Sequence, residues 1–196
     1  MKLHSRFLNQ VATQRYVQQG VFVVTALFLT HGGFSVLHAQ EASAITVQEK
    51  IFGTPDQIFE KAVSLFFVAK PGESAVVFDQ LIQVQPECQP GLWQRGLALY
   101  YADRFVEGQK QFELHRTVNP NDVENPAWHY LCVARATSPE NARQHMLAVG
   151  QDLRVPMKQI LELYQGDGSE ENVLMHAARG DSQQQRNQLC LSLIHI

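Results

Sequence analysis

The chain has 196 residues, of which 45% are hydrophobic, so it can build the core of one small domain and is too apolar to be a disordered chain. Its 16 Lys and Arg residues against 19 Asp and Glu residues give a formal net charge of -3, which excludes the basic excess of a general nucleic-acid-binding protein. Three cysteines in a chain of this length exclude a disulfide-stapled scaffold.

The charges are distributed unevenly along the sequence. Residues 1–40 contain three basic residues and no acidic residue. Residues 41–196 therefore carry 13 basic and all 19 acidic residues, which is a net charge of -6. This asymmetry indicates a targeting segment joined to an acidic domain.

The amino-terminal segment has the order of a secretory signal. An apolar run at residues 21–29 follows basic residues and precedes a small-residue pattern at residues 42–44. We therefore predict a signal or targeting segment at residues 1–44, cleaved near Ala39 or Ala44. The predicted location is extracytoplasmic: secreted, periplasmic, or in the lumen of an organelle such as a plastid. An uncleaved membrane anchor is the alternative, although the apolar run is shorter than the roughly 20 residues of a spanning helix.

Residues 45–187 are predicted to form a helical domain with an internal repeat. Apolar residues have helical spacing between Pro and Gly positions, and no alternating strand pattern occurs. An offset of 34 residues aligns two segments without a gap. The matched pairs include Ile58 with Leu92, Phe59 with Trp93, Leu65 with Leu99, and Phe66 and Phe67 with Tyr100 and Tyr101.

Other matched positions predict structural roles within each repeated unit. Small residues let the two helices of a unit approach closely, aromatic residues wedge between neighbouring units, and prolines end the second helix. The residues with these roles are Ala62, Gly96, Ser74 and Gly108 (small), Phe78 and Phe112 (aromatic), and Pro86 and Pro120. One such unit cannot bury its apolar face alone, so the units must stack.

The segment at residues 92–120 resembles the tetratricopeptide repeat family. It has that family's order of a large apolar residue, a small Gly, aromatic residues, a second Gly, a Phe and a closing Pro. The resemblance implies an all-α fold, namely a short right-handed α-solenoid of tetratricopeptide-like helix-turn-helix units with a helical cap. The sequence departs from the family pattern at Lys61 and Arg95, where a leucine-like residue is usual, and at His115, where a small residue is usual.

The helical domain divides into three units and a cap. We place the boundaries at about residues 55–88, 89–122 and 123–150 for the units and 155–187 for the cap. The third unit is degenerate: Trp128 belongs to its first helix, and Ser138 with Pro139 starts a shorter second helix.

The cap is predicted to contain two helices. Helical spacing starts after Pro156, and Asp167 or Ser169 can cap a final helix that ends near Gly180. The apolar end at residues 188–196 has no periodicity and resembles translated read-through of a sequencing adapter. A short hydrophobic tail docked on the last helix is the alternative.

The family resemblance also implies a binding surface, because the first helix of each tetratricopeptide unit lines a concave groove. The matching positions are Phe59, Val63, Phe66 and Phe67 in the first unit and Trp93, Leu97, Tyr100 and Tyr101 in the second, with Lys61 and Arg95 beside them. We expect these residues to hold an apolar partner segment, with Trp93, Tyr100 and Tyr101 as anchors, because Trp and Tyr are frequent binding hot spots. The alternative is that later helices cover the rings as ordinary core.

Two features of the groove concern charge. Some family members clamp a partner's terminal carboxylate with asparagine and lysine, but Val63 and Leu97 occupy the asparagine's place here, so we predict no such clamp. Lys61 and Arg95 stand one repeat apart and form either a basic ladder for an acidic partner or ion pairs with nearby acids. The nearby acids in the sequence are Glu60, Asp103 and Glu107.

Cys88 and Cys132 leave two interpretations open. In an oxidising compartment they could pair, provided that their Cα atoms lie within about 7 Å. Otherwise Cys132 fills a small-residue position at a helix contact.

The sequence contains no HExxH, phosphate-loop, GxSxG or paired CxxC motif, and we predict no cofactor and no metal site. The predicted function is therefore a non-catalytic adaptor or assembly factor for a partner protein. It would bind no nucleic acid and meet a membrane only through an uncleaved N-terminal anchor. Two alternatives remain: a structural module that self-associates through the same aromatic face, and an enzyme with an unrecognised site around His115, Glu124 and His129.

Overall fold

The structure is a computed structural model that describes residues 53–179 and 181–195, with side chains described at 53–179 and 181–190. The predicted leader at residues 1–44 and its cleavage positions lie outside these residues. Within the described ranges the chain forms nine α-helices and one 3-10 helix and contains no strand, so the prediction of an all-helical protein is confirmed. None of the helices in these ranges is long and apolar enough to cross a membrane.

The helices follow one another with short connections. They are α1 (Pro55–Phe67), α2 (Pro71–Val84), a 3-10 helix (Pro86–Gly91), α3 (Trp93–Tyr101), α4 (Phe105–His115), α5 (Glu124–Ala136), α6 (Pro139–Gln144), α7 (Met157–Gln165), α8 (Glu170–Ala177) and α9 (Ser182–His195). Helix α1 packs against α2, α3 against α4, and α5 against both α4 and α6. The short connections therefore place sequential helices side by side as pairs.

The turn inside the first helix pair recurs in the second pair at an offset of 34 residues. Ala69 and Asp103 occupy equivalent places in the two turns, and both adopt the left-handed backbone conformation, with φ of 59° and 57°. The equivalent backbone hydrogen bonds run from Lys70 N–H to Leu65 O (3.0 Å) and from Arg104 N–H to Leu99 O (2.9 Å). The repeated sequence therefore gives a repeated backbone.

The small residues lie where the two helices of each pair come closest. In the first pair, Ser74 on α2 donates its hydroxyl to the carbonyl of Ala62 on α1 at 2.8 Å, and both residues are fully buried. In the second pair, a Cβ atom added to Gly108 on α4 would lie 3.6 Å from the carbonyl oxygen of Gly96 on α3. The two helix backbones thus touch at equivalent positions in both pairs.

The two glycines also receive side chains from their neighbours. A Cβ atom at Gly96 would lie 2.5 Å from the ring of Phe112, and a Cβ atom at Gly108 would lie 2.8 Å from the Sγ of Cys132. Phe112 and Cys132 belong to one buried cluster that includes Trp128. The absence of a side chain at Gly108 therefore leaves the space that Cys132 of α5 fills, and the absence of one at Gly96 leaves the space for the Phe112 ring of α4.

Both aromatic residues that the repeat predicts as wedges are buried, Phe78 completely and Phe112 with 1% of its surface exposed. The prolines differ from each other. Pro86 follows the end of α2 after one residue and starts the 3-10 helix, whereas α4 ends at His115, five residues before Pro120. The prediction that Pro120 ends the second helix is therefore wrong, because backbone turns to the carbonyls of Leu114 and His115 close α4 earlier.

The third pair and the cap follow the predicted outline at their starts. Ser138 caps α6 by accepting a hydrogen bond from the Asn141 N–H at 3.1 Å, with Pro139 in the first turn. Ser169 caps α8 by accepting from the Asn172 N–H at 3.2 Å. The carboxyl end differs from the prediction, because α8 stops at Ala177 and a further helix, α9, runs from Ser182 to His195.

A polar network connects the first pair to the second. Arg95 on α3 is 9% exposed and forms an ion pair with Asp79 on α2 at 2.7 Å. Arg95 also donates to Gln111 Oε1 at 2.9 Å, and Arg104 reaches the second oxygen of Asp79 at 3.1 Å. Arg95 therefore forms an ion pair with an acid, but its direct partner is Asp79 of the preceding helix and not one of the three acids named from the sequence, Glu60, Asp103 and Glu107. Of those three, Glu107 joins the network through Arg104, and the charge of Arg95 helps to lower its pKa.

We predict that Gly108→Ala lowers the free energy of unfolding by about 1–3 kcal/mol, because the new methyl group meets the Cys132 sulfur. Chemical denaturation monitored by circular dichroism measures the change. Adding Cys132→Ala should make the Gly108→Ala substitution nearly neutral, because the remaining neighbours lie at ordinary contact distance.

Gly72→Ala is the matched control, because nothing lies within 4 Å of a Cβ atom at that position. This variant should be as stable as the parent or more stable. Equal destabilisation by Gly108→Ala in the presence and absence of Cys132 would contradict the proposed contact.

We predict that Ala69→Gly stabilises the protein by roughly 0.5–1 kcal/mol, because alanine is strained in the left-handed conformation that Ala69 adopts. Ala134→Gly, inside α5, should destabilise by a similar amount because glycine is unfavourable in a regular helix. Thermal and urea unfolding of both variants tests the opposite signs. Destabilisation by both changes would rule out strain at Ala69.

Candidate functional site

Five aromatic residues from three helices touch one another in sequence, and we call them the aromatic row. The row consists of Phe67 and Phe66 on α1, Tyr101 and Tyr100 on α3, and Trp128 on α5. The ring centroids of successive members lie 6.3 Å (Phe67–Phe66), 5.8 Å (Phe66–Tyr101), 5.3 Å (Tyr101–Tyr100) and 5.4 Å (Tyr100–Trp128) apart, all with edge-to-face geometry. The row therefore crosses the first helix of each pair.

The predicted groove residues separate into exposed and half-buried positions. Phe67, Tyr101 and Trp93 expose 80%, 56% and 37% of their surfaces. The half-buried positions are Phe59, Val63, Phe66, Leu97 and Tyr100. The exposed rings are available for binding, whereas the other five side chains mainly support them.

The half-buried groove residues pack against the core. Phe59 lies edge-on against Phe78 at 6.0 Å, and Val63 contacts the same core cluster. Tyr100 is enclosed by Tyr101, Phe105 and Trp128. The sequence predicts Tyr100 to be a binding anchor, but in the structure it supports the neighbouring rings. For this residue the structure agrees with the alternative prediction, that other helices cover part of the aromatic face.

A cleft opens at the Trp128 end of the aromatic row. It is a small cleft of about 40 Å³ that is open to solvent, and α3, α4, α5 and the residues that precede α5 form its walls. The lining residues are Trp93, Leu97, Phe112, His115, Asp122, Glu124, Asn125 and Trp128. Exposed Trp93 and the row member Trp128 thus border the same space.

The polar atoms of the residues that line this cleft include one buried acceptor without a hydrogen-bond partner. Asn125 is 3% exposed, its Nδ2 donates to the carbonyl of Phe112 at 3.1 Å, and its Oδ1 has no hydrogen-bond partner. A buried acceptor without a partner costs about 1–3 kcal/mol. The Nδ1 of His115 lies 2.8 Å from the carbonyl of Pro90, so in neutral His115 this nitrogen carries the proton and Nε2 is an acceptor.

Three carboxylates surround one arginine beside the cleft. Arg154 contacts Glu124 at 2.8 Å, Asp152 at 2.6 Å and Asp122 at 2.5 Å. Burial raises the pKa of Glu124, and the neighbouring charge of Asp122 raises it further, while Arg154 acts in the opposite direction. Burial also opposes ionisation of Asp152, but hydrogen bonds from Arg154 and from the Val123 N–H outweigh it and lower the pKa of Asp152.

The two basic residues predicted beside the groove do not form a ladder. Lys61 is exposed on α1, whereas its repeat equivalent, Arg95, is buried in the network with Asp79. The interpretation of Arg95 as a groove residue is therefore corrected. Its guanidinium stabilises the contact between α2 and α3.

The three residues named for an unrecognised enzyme site are only partly brought together. His115 and Glu124 line the cleft, but His129 is 1% exposed and is not among the lining residues. His129 lies 3.4 Å from Glu113, and burial lowers its pKa although Glu113 acts in the opposite direction.

The cysteines do not form the disulfide considered from the sequence, because Cys88 and Cys132 are both free thiols. Burial raises the thiol pKa of Cys88 to about 11 and that of Cys132 to about 12, so both are protonated near neutral pH. Cys132 occupies the close helix contact over Gly108. In the part of the chain that the structure describes, no group of three or more His, Cys, Asp or Glu side chains is placed to hold a metal ion.

Sequence reasoning missed three residues of this site: Asp122, Asn125 and Arg154. Asp122 and Asn125 flank the start of α5, a region with no recognisable motif in the sequence. Arg154 lies about 30 residues farther along, and only the fold brings it to Glu124. The acidic pattern at residues 122–124 was the one local signal available.

No protein-family model matches the chain, and no curated protein matches it significantly. The function must therefore be inferred from the geometry of the aromatic row and the cleft.

We predict that acidification from about pH 7 to about pH 5 destabilises the protein partly through His129. Because burial lowers the pKa of His129 in the folded state, the unfolded chain takes up a proton first, and stability falls as the pH drops below the ordinary histidine range. In His129→Gln, the loss of unfolding free energy over this range should be smaller than in the parent. Urea unfolding at several pH values measures it.

Glu113→Gln should act in the opposite direction. It removes the acceptor that favours protonated His129, so the loss of stability on acidification should be larger than in the parent. Equal pH dependence in all three proteins would exclude His129 as the titrating group.

Proposed function

We propose that the described helices form a short right-handed solenoid of tetratricopeptide-like units. The proposal is supported by the turns at Ala69 and Asp103, which have the same conformation one repeat apart. It is also supported by the helix contacts at Ala62 with Ser74 and at Gly96 with Gly108, which occupy equivalent positions. Under this proposal α1, α3 and α5 are the first helices of successive units.

We further propose that the protein is a non-catalytic adaptor that binds an apolar segment of a partner protein along the aromatic row. The observation that carries this proposal is that the aromatic rings of the row contact one another across three helices while two of them remain largely exposed to solvent. Its rings are fixed by edge contacts across three helices, yet Phe67 and Tyr101 leave more than half of their surfaces in solvent. Large exposed aromatic side chains grouped in this way are typical of interaction surfaces.

The ring contacts within the row favour binding without a large ordering cost. Phe66 and Tyr100 hold the exposed rings of Phe67 and Tyr101 from below, so few side chains must be immobilised when a partner binds. Val68 is 60% exposed next to Phe67 and extends the apolar surface at the end of α1. An apolar partner segment would remove these groups from water and gain the corresponding hydrophobic free energy.

The proposal is tested by affinity capture with the full chain, followed by titration of the captured partner's shortest binding segment as a synthetic peptide. Combined Phe67→Ala and Tyr101→Ala substitutions should weaken binding of that peptide at least about tenfold, or about 1.4 kcal/mol. Isothermal titration calorimetry measures the change.

Val84→Ala is the matched control, because Val84 is also 60% exposed but lies at the end of α2, outside the row. It should leave the affinity unchanged. Equal binding by the parent and the double variant would contradict the adaptor proposal at this surface. If the molecular mass measured by light scattering rises with protein concentration in the parent but not in the double variant, the result would instead support the alternative that the protein self-associates through this face.

A further inference from the structure

The cleft beside Trp93 presents acceptors to a ligand. Asn125 lines the cleft, and its buried Oδ1 lacks a hydrogen-bond partner. His115 also lines the cleft, and in its neutral form, with Nδ1 donating to the Pro90 carbonyl, Nε2 is an acceptor. The carboxylates of Asp122 and Glu124 also line the cleft. Both oxygens of Asp122 already accept hydrogen bonds within the protein, and Glu124 accepts one from Arg154 through Oε1. A group with several N–H donors therefore matches the polar atoms of this cleft.

The charge balance next to the cleft is negative. Asp122, Glu124 and Asp152 contribute three carboxylates, and Arg154 is the one guanidinium that contacts all of them. The three carboxylates outnumber this one guanidinium, so the group formed by Asp122, Glu124, Asp152 and Arg154 is negative when its members are ionised. A cation entering the cleft would supply the missing positive charge.

The apolar walls of the cleft also favour a cation. Trp93 and Trp128 border it, and the face of an indole ring attracts ammonium and guanidinium groups. The alkyl stem of a lysine or arginine side chain can pack on such rings while its charged end reaches the polar atoms. An anionic side chain would instead face carboxylates and electron-rich rings.

We propose that this cleft binds the cationic end of a lysine or arginine side chain carried by the apolar partner segment. The inference rests on the proposed adaptor function for the source of the cation. Trp128 connects the two surfaces, because it is both the last member of the aromatic row and part of the cleft lining. A segment lying along the row would thus place a basic side chain at the row's end into the cleft.

The test uses the full chain and small probes, and it needs no identified partner. The chain has two tryptophans, Trp93 and Trp128, and both line the cleft, so intrinsic tryptophan fluorescence reports on this site. The probes are n-butylammonium, which carries the end of a lysine side chain, with neutral 1-butanol and anionic butyrate as matched controls. Butylammonium should change the emission saturably at a concentration at least about tenfold below that of either control, and added salt should weaken it. Equal responses to the three probes, or a stronger response to butyrate, would overturn the proposal.

Variants locate the binding to the cleft. Glu124→Gln removes one carboxylate charge with little change in shape, and it should weaken the butylammonium response at least about threefold. Glu171→Gln, an exposed position on α8, is the matched control and should leave the response unchanged. Equal weakening by both substitutions would indicate general surface charge and overturn the assignment to the cleft. If Glu124→Gln does not fold, as judged by circular dichroism, the comparison of the three probes in the parent still decides.

Failure of this inference is distinguishable from failure of the adaptor proposal. If a partner peptide binds through Phe67 and Tyr101 but tolerates replacement of its lysine or arginine by norleucine, the adaptor proposal stands and the cationic site is overturned. If butylammonium binds selectively while no apolar segment binds the aromatic row, the cationic site stands and its ligand does not come from such a segment.

Discussion

The architecture depends on the close approach of two helix backbones within each pair. Ser74 bonds directly to the Ala62 carbonyl in the first pair, and Gly108 faces the Gly96 carbonyl in the second. Larger side chains at these positions would separate the helices. The second contact has a further consequence, because Cys132 of α5 fills the space over Gly108. The position of α5, and with it the cleft, therefore depends on the small residues of α3 and α4.

Arg95 and Arg154 differ in how deeply they are buried and in how their positive charges are balanced. Arg95 is enclosed by Asp79 and Gln111, and its charge is balanced within the contact between helices. Arg154 is itself partly exposed and contacts three carboxylates, of which the Asp152 side chain is buried and those of Asp122 and Glu124 are partly exposed, so negative charge remains beside the cleft. A buried charge without a partner is costly, whereas a partly exposed excess is tolerated by solvent and can be used for recognition. The proposed preference of the cleft for cations follows from this difference.

The aromatic row and the cleft are parts of one surface with different physical characters. The row offers exposed rings whose positions are fixed by edge contacts, which favours apolar burial with little ordering. The cleft adds acceptors and negative charge at the Trp128 end. An apolar surface alone gives affinity with limited discrimination, and a nearby polar site can set the direction and register in which a segment binds.

The sequence by itself determined the helical content, the 34-residue offset and the small residues at the helix contacts, because these follow from local spacing and side-chain size. It could not determine which groove residues remain exposed. Phe67 and Tyr100 lie in neighbouring matched pairs of the same pattern, yet one faces solvent and the other is enclosed by Phe105 and Trp128. Likewise, only the tertiary structure brought Arg154 to Glu124 and Asp79 to Arg95. The physical reason is that exposure and charge pairing depend on residues distant in sequence, whereas periodicity and turn formation depend on near neighbours.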